Sequence, residues 1–333
     1  MKTLLTADLH LEDRILTEYR WNFFYWLADT IQSNSIKKLI ILGDITEKKD
    51  NHSARLTNRI VDTFLEISKL CEITILKGNH DSYDYPFFTF LNNLNNVNFI
   101  DQVNFDINND LYIPYTKDLE EFKNILKDFE GQKIRTIYLH QTLNGFKAMN
   151  NFTMTSNFDK HLFSKLKYTS IFSGDLHLAQ EQLVGDSIIR YVGSPYPIYF
   201  GDNDYKGTLY ITDVIPEDRI FYDCGISRWS KELTFEGFRS FKNTLRTNDQ
   251  IKLKILLEKS EFGLWEEIKK EVKSFCKEGN INLVALSLKP VERDSVKILK
   301  SVSKIDDSKI FTDFIAKEKL SDFYSEVGKE VMV

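Results

Sequence analysis

The sequence has little cysteine and no long apolar run, and each absence excludes a class of protein. Its three cysteines form no Cys-x-x-Cys pair and no even set for a disulfide framework. We therefore expect them to be small buried hydrophobic residues in a reducing compartment. No stretch approaches the roughly 20 apolar residues of a membrane span, and Asp8 interrupts the apolar start of the chain before it could form a signal peptide. These absences predict a soluble protein of the cytoplasm or nucleoid that makes no contact with a membrane.

The sequence also lacks an excess of positive charge. The formal net charge is −5 and the isoelectric point is near 5.8, so no basic field covers the molecule as a whole. If the partner is nucleic acid, the basic surface must be local or must belong to another subunit. The chain does have length and apolar material: 333 residues, of which 42% are hydrophobic, suffice for about two packed domains.

Short apolar runs alternate with helical patterns through the first eighty residues, which is typical of two βαβ units. The predicted strands there span residues 4–7, 39–42 and 73–76, and the predicted helices span residues 17–33 and 53–70. Further strands are predicted at residues 134–139, 170–173, 187–192, 207–213 and 219–224, with the last three in a second sheet. The predicted fold class is α/β, a two-sheet β-sandwich flanked by helices.

The pattern changes after residue 226, where we expect a domain boundary. Residues 1–226 form the first predicted domain, and residues 227–290, with strand, helix and strand patterns in turn, form a small β-α-β cap domain. Residues 291–308 are charged and weakly patterned, which predicts a linker. The segment 309–333 carries an apolar stripe at helical spacing, which predicts a helix that either packs on its own domain or binds a partner.

Polar side chains that can bind metals follow the predicted strands at the points where the strands end. They are Asp8, His10, Asp44, Asn79, His140, Asp175 and His177. Open α/β sheets place their sites at the carboxyl ends of the strands. Carboxylate and imidazole ligands suit Mn²⁺, Fe, Zn²⁺ or Mg²⁺. So many hard ligands predict a two-metal hydrolytic site.

The spacing of these residues predicts some of their geometry. Asp8 and His10 are two residues apart on an extended end, so both are expected to point to one side and hold one ion. Asp44 has two oxygens with which to bridge two ions, and Asn79 offers an amide oxygen to the second ion. His80 is expected to point to another side of its turn and to contact the phosphate or leaving oxygen as a general acid.

These motifs resemble those of the calcineurin-like metallophosphoesterases. The matching segments are Asp8-x-His10, Gly43-Asp44, Gly78-Asn79-His80-Asp81, His140 and Gly174-x-x-His177. A later stretch is similar to the signature of the SbcD-type DNA double-strand-break nucleases. It reads Tyr191-Val192-Gly193-Ser194-Pro195, then Phe200-Gly201-Asp202, then Lys206-Gly207.

The resemblance implies a Mn²⁺-dependent nuclease, with Mg²⁺ as the alternative metal, that processes DNA ends in repair or recombination. Its implied substrates are duplex ends and single strands. Its implied partner is an SbcC-type coiled-coil ATPase bound through the C-terminal helix, and a homodimer is compatible with this arrangement. The implied ligands are Asp8, His10 and His177 for the first ion and Asn79, His140 and Asp175 for the second, with Asp44 bridging and His80 acting on the phosphate.

The chain departs from the family pattern at two positions. Asp175 stands where members commonly have His, which adds a negative charge beside the second ion. Glu47 stands where many members have His or Asp, at a position that the family uses to position the DNA strand. We therefore take Glu47, the nearby His52, and Ser194 of the Gly-Ser-Pro turn as candidate DNA contacts. The simpler interpretation of His52 is an exposed loop histidine, and that of Ser194 is an ordinary turn.

Two alternatives stay open. The first is another phosphatase of the superfamily, acting on phosphoproteins or nucleotides. Protein phosphatases usually continue from the bridging Asp with an Asp-Arg-Gly run, whereas this chain reads Ile45-Thr46-Glu47-Lys48. The second is a non-catalytic scaffold that engages DNA and an ATPase, and the full set of apparent metal ligands argues against it.

Overall fold

Three sheets and five helices make up the part of the chain that can be described. The structure is a computed structural model that describes residues 2–149, 152–165, 170–202, 208–212 and 215–291. Residues 1–289 form one compact unit. The predicted linker after residue 291 and the predicted C-terminal helix at 309–333 lie outside the described residues.

Two six-stranded sheets form the larger part of this unit. Across the first sheet the order is β12 (Ile215–Ile220), β11 (Thr208–Thr212), β1 (Lys2–Thr6), β2 (Lys38–Leu42), β3 (Glu72–Leu76) and β4 (Val97–Ile100). Across the second it is β5 (Asn104–Phe105), β6 (Asp110–Ile113), β7 (Thr136–His140), β8 (Ser170–Gly174), β10 (Ser187–Tyr191) and β9 (Gln180–Val184). Strands β1 to β4 run parallel, as do β6, β7, β8 and β10. Their carboxyl ends therefore lie along one edge of each sheet.

The alternation of side chains along the strands builds apolar layers on both faces of each sheet. Leu5 and Ile40 of the first sheet pack against Tyr138 and Phe172 of the second. The alternate residues of the first sheet pack against α1 (Glu18–Ser33) and α2 (Ala54–Ser68). The outer face of the second sheet packs against α3 (Leu119–Asp128). Because both faces are covered, the strands read as continuous apolar runs. The fold is the predicted α/β sandwich flanked by helices.

Two strand placements predicted from the sequence are wrong. Strands β11 and β12 belong to the first sheet, where β11 pairs antiparallel with β1, and not to the second. The strand predicted at residues 219–224 ends at Ile220. A short apolar run does not indicate which sheet it joins. Here β11 pairs with the edge of β1 that β2 does not use. Strands β4, β5, β6 and β9 and helix α3 were not predicted, because they are short or rich in Asn and acidic residues.

A third, smaller sheet follows in the chain. It contains β13 (Arg228–Thr234), β14 (Gln250–Leu257) and β15 (Asn282–Pro290), and its helices are α4 (Phe235–Phe241) and α5 (Trp265–Glu278). One face of β14 packs with α4 and α5 around Phe238 and Val272. Within residues 227–290, the structure adds one strand, β13, and one helix, α4, to the predicted strand, helix and strand. The division of the compact unit at residue 226 stays a prediction.

The remaining expectations concern membrane-spanning helices and the cysteines. Among the described residues, no helix has both the length and the apolar character needed to cross a membrane. All three cysteines are free thiols, and Cys71 and Cys276 are buried as expected.

Candidate metal centre

The seven predicted ligands meet at the carboxyl edge of the two sheets. Asp8 and His10 lie in the loop after β1, Asp44 lies after β2, and Asn79 lies after β3. His140 ends β7, and the segment with Asp175 and His177 follows β8. Both sheets therefore contribute to one cluster, although its members span 170 positions of the sequence, from residue 8 to residue 177.

The Asp-x-His spacing predicts an extended loop after β1, and this prediction is wrong. Asp8 and His10 have φ angles of 54° and 43°, in the left-handed region. Hydrogen bonds to the next loop hold them there: the Asp8 amide donates to Gly43 O (3.1 Å) and the His10 amide to Asp44 O (2.9 Å). Asp44 and Asp175 are also left-handed, with φ angles of 57° and 85°. A left-handed backbone conformation at a residue other than glycine costs about 1–3 kcal/mol of folding free energy, and such residues cluster at functional sites.

Asp44 occupies the centre of the cluster. Its Oδ2 lies 3.4 Å from His10 Nε2, and its Oδ1 lies 3.4 Å from His140 Nε2. One terminal atom of the Asn79 amide lies 3.0 Å from His140 Nε2 and 3.1 and 3.0 Å from the two Asp44 oxygens. The two carboxylate oxygens therefore face different histidines, which is the arrangement that a bridging ligand needs.

Three overlapping groups of side chains have ligand atoms within 4.8 Å of one another. They are Asp8, His10 and His177; His10, Asp44 and His80; and Asp8, Asp44 and His140. Asp8 Oδ2 and His10 Nε2 are buried and have no hydrogen-bond partner among the described residues. A buried polar atom without a partner is costly, and a divalent cation would satisfy both atoms. The donor set thus fits hard or borderline divalent metals.

Hydrogen bonds made by Nδ1 orient three of the histidines. His140 Nδ1 donates to Leu42 O (2.7 Å), and His80 Nδ1 donates to Glu47 O (2.6 Å). His177 Nδ1 lies 3.3 Å from Asp202 Oδ2. Since each Nδ1 is occupied, Nε2 is the ring nitrogen left for a metal or a substrate. Partners of this kind fix the tautomer of metal-binding histidines.

Burial and mutual charge set the protonation of the cluster. Burial raises the pKa of Asp8 to about 7. Burial would also raise the pKa of Asp44, but His140, His10 and His80 hold it below its usual value. Burial would lower the pKa of His140, yet the neighbouring carboxylates raise it to about 9. Burial lowers the pKa of His10 well below its usual value. Without a cation, some side chains of the cluster therefore hold protons, and metal binding would displace these protons.

Asp175 lies at the margin of the cluster. Its Oδ1 is 3.7 Å from His140 Nε2, and its Oδ2 accepts a hydrogen bond from the Thr142 hydroxyl. Its amide donates to Asp8 Oδ1 (2.9 Å). The side chain is near enough to join a site around His140. Its role as a ligand stays a prediction.

The three candidate DNA contacts have different surroundings. Glu47 Oε2 lies 3.0 Å from His10 Nδ1, and Glu47 Oε1 accepts from the Tyr199 hydroxyl (3.3 Å), so Glu47 faces the cluster. His52 Nε2 lies 2.8 Å from the Thr46 hydroxyl, and its ring packs on Phe87. Its half-buried ring supports the loop after β2.

Ser194 is not placed for the DNA contact predicted for it. The residue is fully buried. Its hydroxyl donates to Tyr196 O (2.9 Å), and its amide donates to His177 O (3.1 Å). The Gly-Ser-Pro turn therefore positions the backbone at His177.

Three buried charged residues support the site but received no role from the sequence. Asp81 accepts hydrogen bonds from the amides of Gly78 (2.7 Å) and of Asp44 and Ile45 (both 2.8 Å), joining two ligand-bearing loops. Asp202 accepts from the Tyr199 amide (2.8 Å) as well as facing His177.

Arg20 is the third of these residues. It donates to the carbonyls of His10 and of Ile198 (3.1 Å) and is 1% exposed. Its signal was present in the sequence, because Arg20 lies on the buried stripe of α1, four positions before Phe24.

A cleft of about 310 Å³ opens over the cluster. Its lining includes His10, Asp44, Asn79, His80, Asp175 and His177. Tyr199 also lines the cleft, stacks on the His177 ring at 5.3 Å and is 46% exposed. The cluster is therefore open to a ligand at one side, and His80 and Tyr199 line this opening together with the predicted ligands.

The chain is similar to several known proteins. The family model for the calcineurin-like phosphoesterases matches residues 1–179. The SbcD component of nuclease SbcCD from Escherichia coli strain K12 is 31% identical over 88 residues, which cover 25% of this chain and 22% of that protein. The protein of the same name from Escherichia coli O157:H7 matches equally. The match thus spans less than a quarter of these relatives. A dimetal phosphatase structure from Danio rerio has a TM-score of 0.42 at 10% identity, covering 63% of this chain and 91% of that one.

Proposed function

The chain belongs to the calcineurin-like phosphoesterase family, and from this premise we propose that it is a metal-dependent DNA nuclease that hydrolyses phosphodiester bonds at DNA ends. One observation carries the proposal: the Asp8 carboxylate and four histidines from both sheets lie around a buried Asp44, whose two oxygens face different histidines. The likeness to two curated nuclease components supports DNA as the substrate.

The proposed ligands divide into two sets around Asp44. Asp8, His10 and His177 would hold one divalent ion. Asn79, His140 and Asp175 would hold the second. Mn²⁺ is the proposed metal, and Mg²⁺ is the alternative. When bound, such a pair supplies Lewis acidity toward the phosphoryl oxygens and lowers the pKa of a coordinated water.

The protein's own groups would position the substrate and handle the proton of the leaving group. His80 is held by the bond from its Nδ1 to Glu47 O and lines the cleft, and its Nε2 is the ring nitrogen left for a substrate. Its amide donates to Asp44 Oδ1 (2.8 Å), which ties its position to the centre of the cluster. We propose that His80 donates a hydrogen bond to the phosphate or leaving oxygen. Glu47, which also contacts His10 and Tyr199, is proposed to set how the DNA strand approaches.

The substitution Asp44→Ala tests the proposal. It should abolish Mn²⁺-dependent cleavage of linear duplex DNA labelled at one end, because both halves of the site lose their shared ligand. Asp128→Ala is the matched control, since Asp128 is exposed at the end of α3 and does not line the cleft over the cluster. If Asp44→Ala cut DNA as fast as the Asp128→Ala control, the proposal would fail.

The family contains phosphatases as well as nucleases, so substrate choice needs its own test. Turnover of p-nitrophenyl phosphate, bis(p-nitrophenyl) phosphate and linear DNA would be compared at saturating Mn²⁺. We expect the diester and DNA to be preferred. A strong preference for the monoester would identify a phosphatase, and fewer than two ions bound at saturation would favour a scaffold.

We further propose that the segment 309–333 binds an SbcC-type coiled-coil ATPase. Its apolar residues fall at helical spacing, at Leu320, Phe323, Tyr324, Val327 and Val331. Removing residues 309–333 should abolish co-elution with a candidate ATPase and leave hydrolysis of the small diester unchanged, because residues 1–289 form a compact unit of their own. Undiminished co-elution would exclude this segment as the binding site.

A further inference from the structure

A second cleft, of about 1080 Å³, opens beside the candidate metal centre. The two clefts share Asn79. One wall of the larger cleft is the turn that follows Asp81, and the other is the segment at residues 115–121 that leads into α3. Asn79 is the only predicted metal ligand among the residues that line the larger cleft, so metal binding does not explain why this cleft exists. Because the two clefts meet at Asn79, one polymer can occupy both of them.

Two large aromatic side chains project from the first wall. Tyr83 and Tyr85 are 66% and 77% exposed, and among the described residues no ring or cation stacks on either of them. The turn that carries them is closed at its base: the Phe87 amide donates to Asp81 O (3.0 Å), and Ser82 forms a β-bridge with Pro86. The pair is an unused stacking surface on an ordered turn, and such pre-organisation lowers the entropy cost of binding.

The opposite wall begins at the metal centre. The Tyr115 ring meets the His140 ring edge-on at 6.3 Å, and the Tyr115 amide donates to Lys77 O (3.0 Å). Lys77 is half-buried and lines the cleft, and no carboxylate of the described residues lies within ion-pair distance of its ammonium group. A partly desolvated cation of this kind favours a bound anion.

The charge of the cleft is mixed rather than strongly basic. Lys49, Lys77 and Lys117 line it, and so do Asp84, Asp118 and Glu121. Two of these acids already have partners: Asp118 caps α3, and Glu121 accepts from the Thr116 hydroxyl. Binding in such a cleft must therefore depend on stacking together with a few phosphate contacts, and not on a broad positive field.

We propose that this cleft binds an unpaired single strand of DNA continuous with the strand at the metal centre, with bases stacked on Tyr83 and Tyr85 and a phosphate at Lys77. The inference rests on the proposed nuclease function and deepens it. In the interior of a duplex, both faces of each base are covered by its neighbours, so successive bases can stack on protein side chains only where the strand is unpaired. The cleft therefore selects the single-stranded part of the substrate.

Fluorescence anisotropy with labelled oligothymidylate in EDTA tests the inference without cleavage. The double variant Tyr83→Ala, Tyr85→Ala should bind the oligonucleotide more weakly, by about 5- to 150-fold for each base that loses its stacking partner. Tyr83→Phe, Tyr85→Phe should bind like wild type, because the rings remain. Tyr25→Ala is the matched control, since Tyr25 is 74% exposed on α1 and does not line the cleft. Melting curves verify that each variant is folded.

A second measurement addresses the proposed phosphate contact. Lys77→Met keeps the apolar stem and removes the charge. It should reduce the slope of log affinity against log salt by about 0.7, the value for one phosphate contact to a single strand.

Two results would overturn the inference. One is single-strand affinity of the alanine pair within twofold of Tyr25→Ala. The other is an equal loss of affinity for single strands and for a blunt duplex. If wild type cuts DNA while either result is found, the inference alone fails. If wild type hydrolyses bis(p-nitrophenyl) phosphate with Mn²⁺ but neither binds nor cuts DNA, the proposed function fails and the inference fails with it.

Discussion

Asp202 orients a candidate metal ligand, His177, and is not itself one of the predicted ligands. Its Oδ2 lies 3.3 Å from His177 Nδ1 and accepts from the Tyr199 amide, while the Tyr199 ring stacks on His177. One buried carboxylate thus positions both a proposed ligand and an aromatic side chain at the opening of the cleft. At the residue scale, the site depends on such supporting groups as much as on the ligands.

Asp202→Asn should weaken Mn²⁺ binding by about 10- to 100-fold, the usual effect of losing a supporting carboxylate. The amide oxygen can still accept from the Tyr199 amide, so the fold should survive. Activity at saturating Mn²⁺ should largely return, because the direct ligands remain. Isothermal titration against Asp128→Asn measures the difference. Equal Mn²⁺ affinity in the two variants would show that Asp202 has no role in metal binding.

Metal binding should depend on pH because two proposed ligands hold protons in the metal-free cluster. Burial raises the pKa of Asp8 to about 7. Burial would lower the pKa of His140, but Asp44, Asp175 and Asp8 raise it to about 9. Ligation needs Asp8 ionised and His140 neutral, so protons compete with the cation below these pKa values.

Apparent Mn²⁺ affinity should therefore rise as the pH is raised from about 6 to about 9, with protons released on binding. Titration calorimetry in two buffers of different ionisation enthalpy measures both quantities. A constant affinity over this range, with no proton release, would contradict the protonation described for the cluster.

At the scale of elements, the end of β2 shows how closely the loops are packed. Gly43 has φ +83°, and a Cβ there would lie 2.2 Å from His140 Nδ1 and 2.8 Å from Gly78 Cα. The loops after β2 and β3 and the end of β7 thus meet at a point where no side chain fits. This close approach is what brings His140 to Asp44 although the two residues belong to different sheets.

Gly43→Ala should destabilise the protein by about 3 kcal/mol or more, combining left-handed backbone strain with a steric clash. Gly131→Ala is a matched control with the same φ of +83° but open space around the added Cβ. The control should cost only about 1–2 kcal/mol, the price of the left-handed conformation. Urea unfolding of both variants gives the comparison. An equal loss of stability would mean that the packing at His140 is not tight.

The elements differ in how far the sequence determined them. Strands β1, β2 and β3 were predicted because both of their faces are buried and their apolar runs are continuous. Strand β11 was assigned to the wrong sheet, since its pairing with β1 depends on an edge that the local pattern does not encode. The ligand set came from strand-end positions and a family resemblance. The left-handed conformations of Asp8 and His10 could not be predicted from the sequence, because hydrogen bonds to another loop impose them.

At the scale of the whole molecule, the cluster links metal binding to folding. Its carboxylates and histidines come from five separate strands of both sheets, so the site exists only when the sandwich is folded. A ligand that binds only the native state stabilises it by about 2.7 kcal/mol at a hundred times its Kd. Mn²⁺ should therefore stabilise the entire compact unit.

Thermal unfolding should show a higher Tm with Mn²⁺ for wild type and for Asp128→Ala. Asp44→Ala should show little increase, because it lacks the shared ligand. Circular dichroism melts across a Mn²⁺ series measure this effect. An equal rise in Tm for Asp44→Ala would place the stabilising ions elsewhere on the protein.

The most direct test of the central claim is anomalous diffraction from crystals grown with Mn²⁺. We predict two manganese peaks about 3.5–4 Å apart, one on each side of Asp44, with His10 and His177 near the first and His140 near the second. A single peak, or peaks distant from Asp44, would contradict the claim that these residues form one two-metal site.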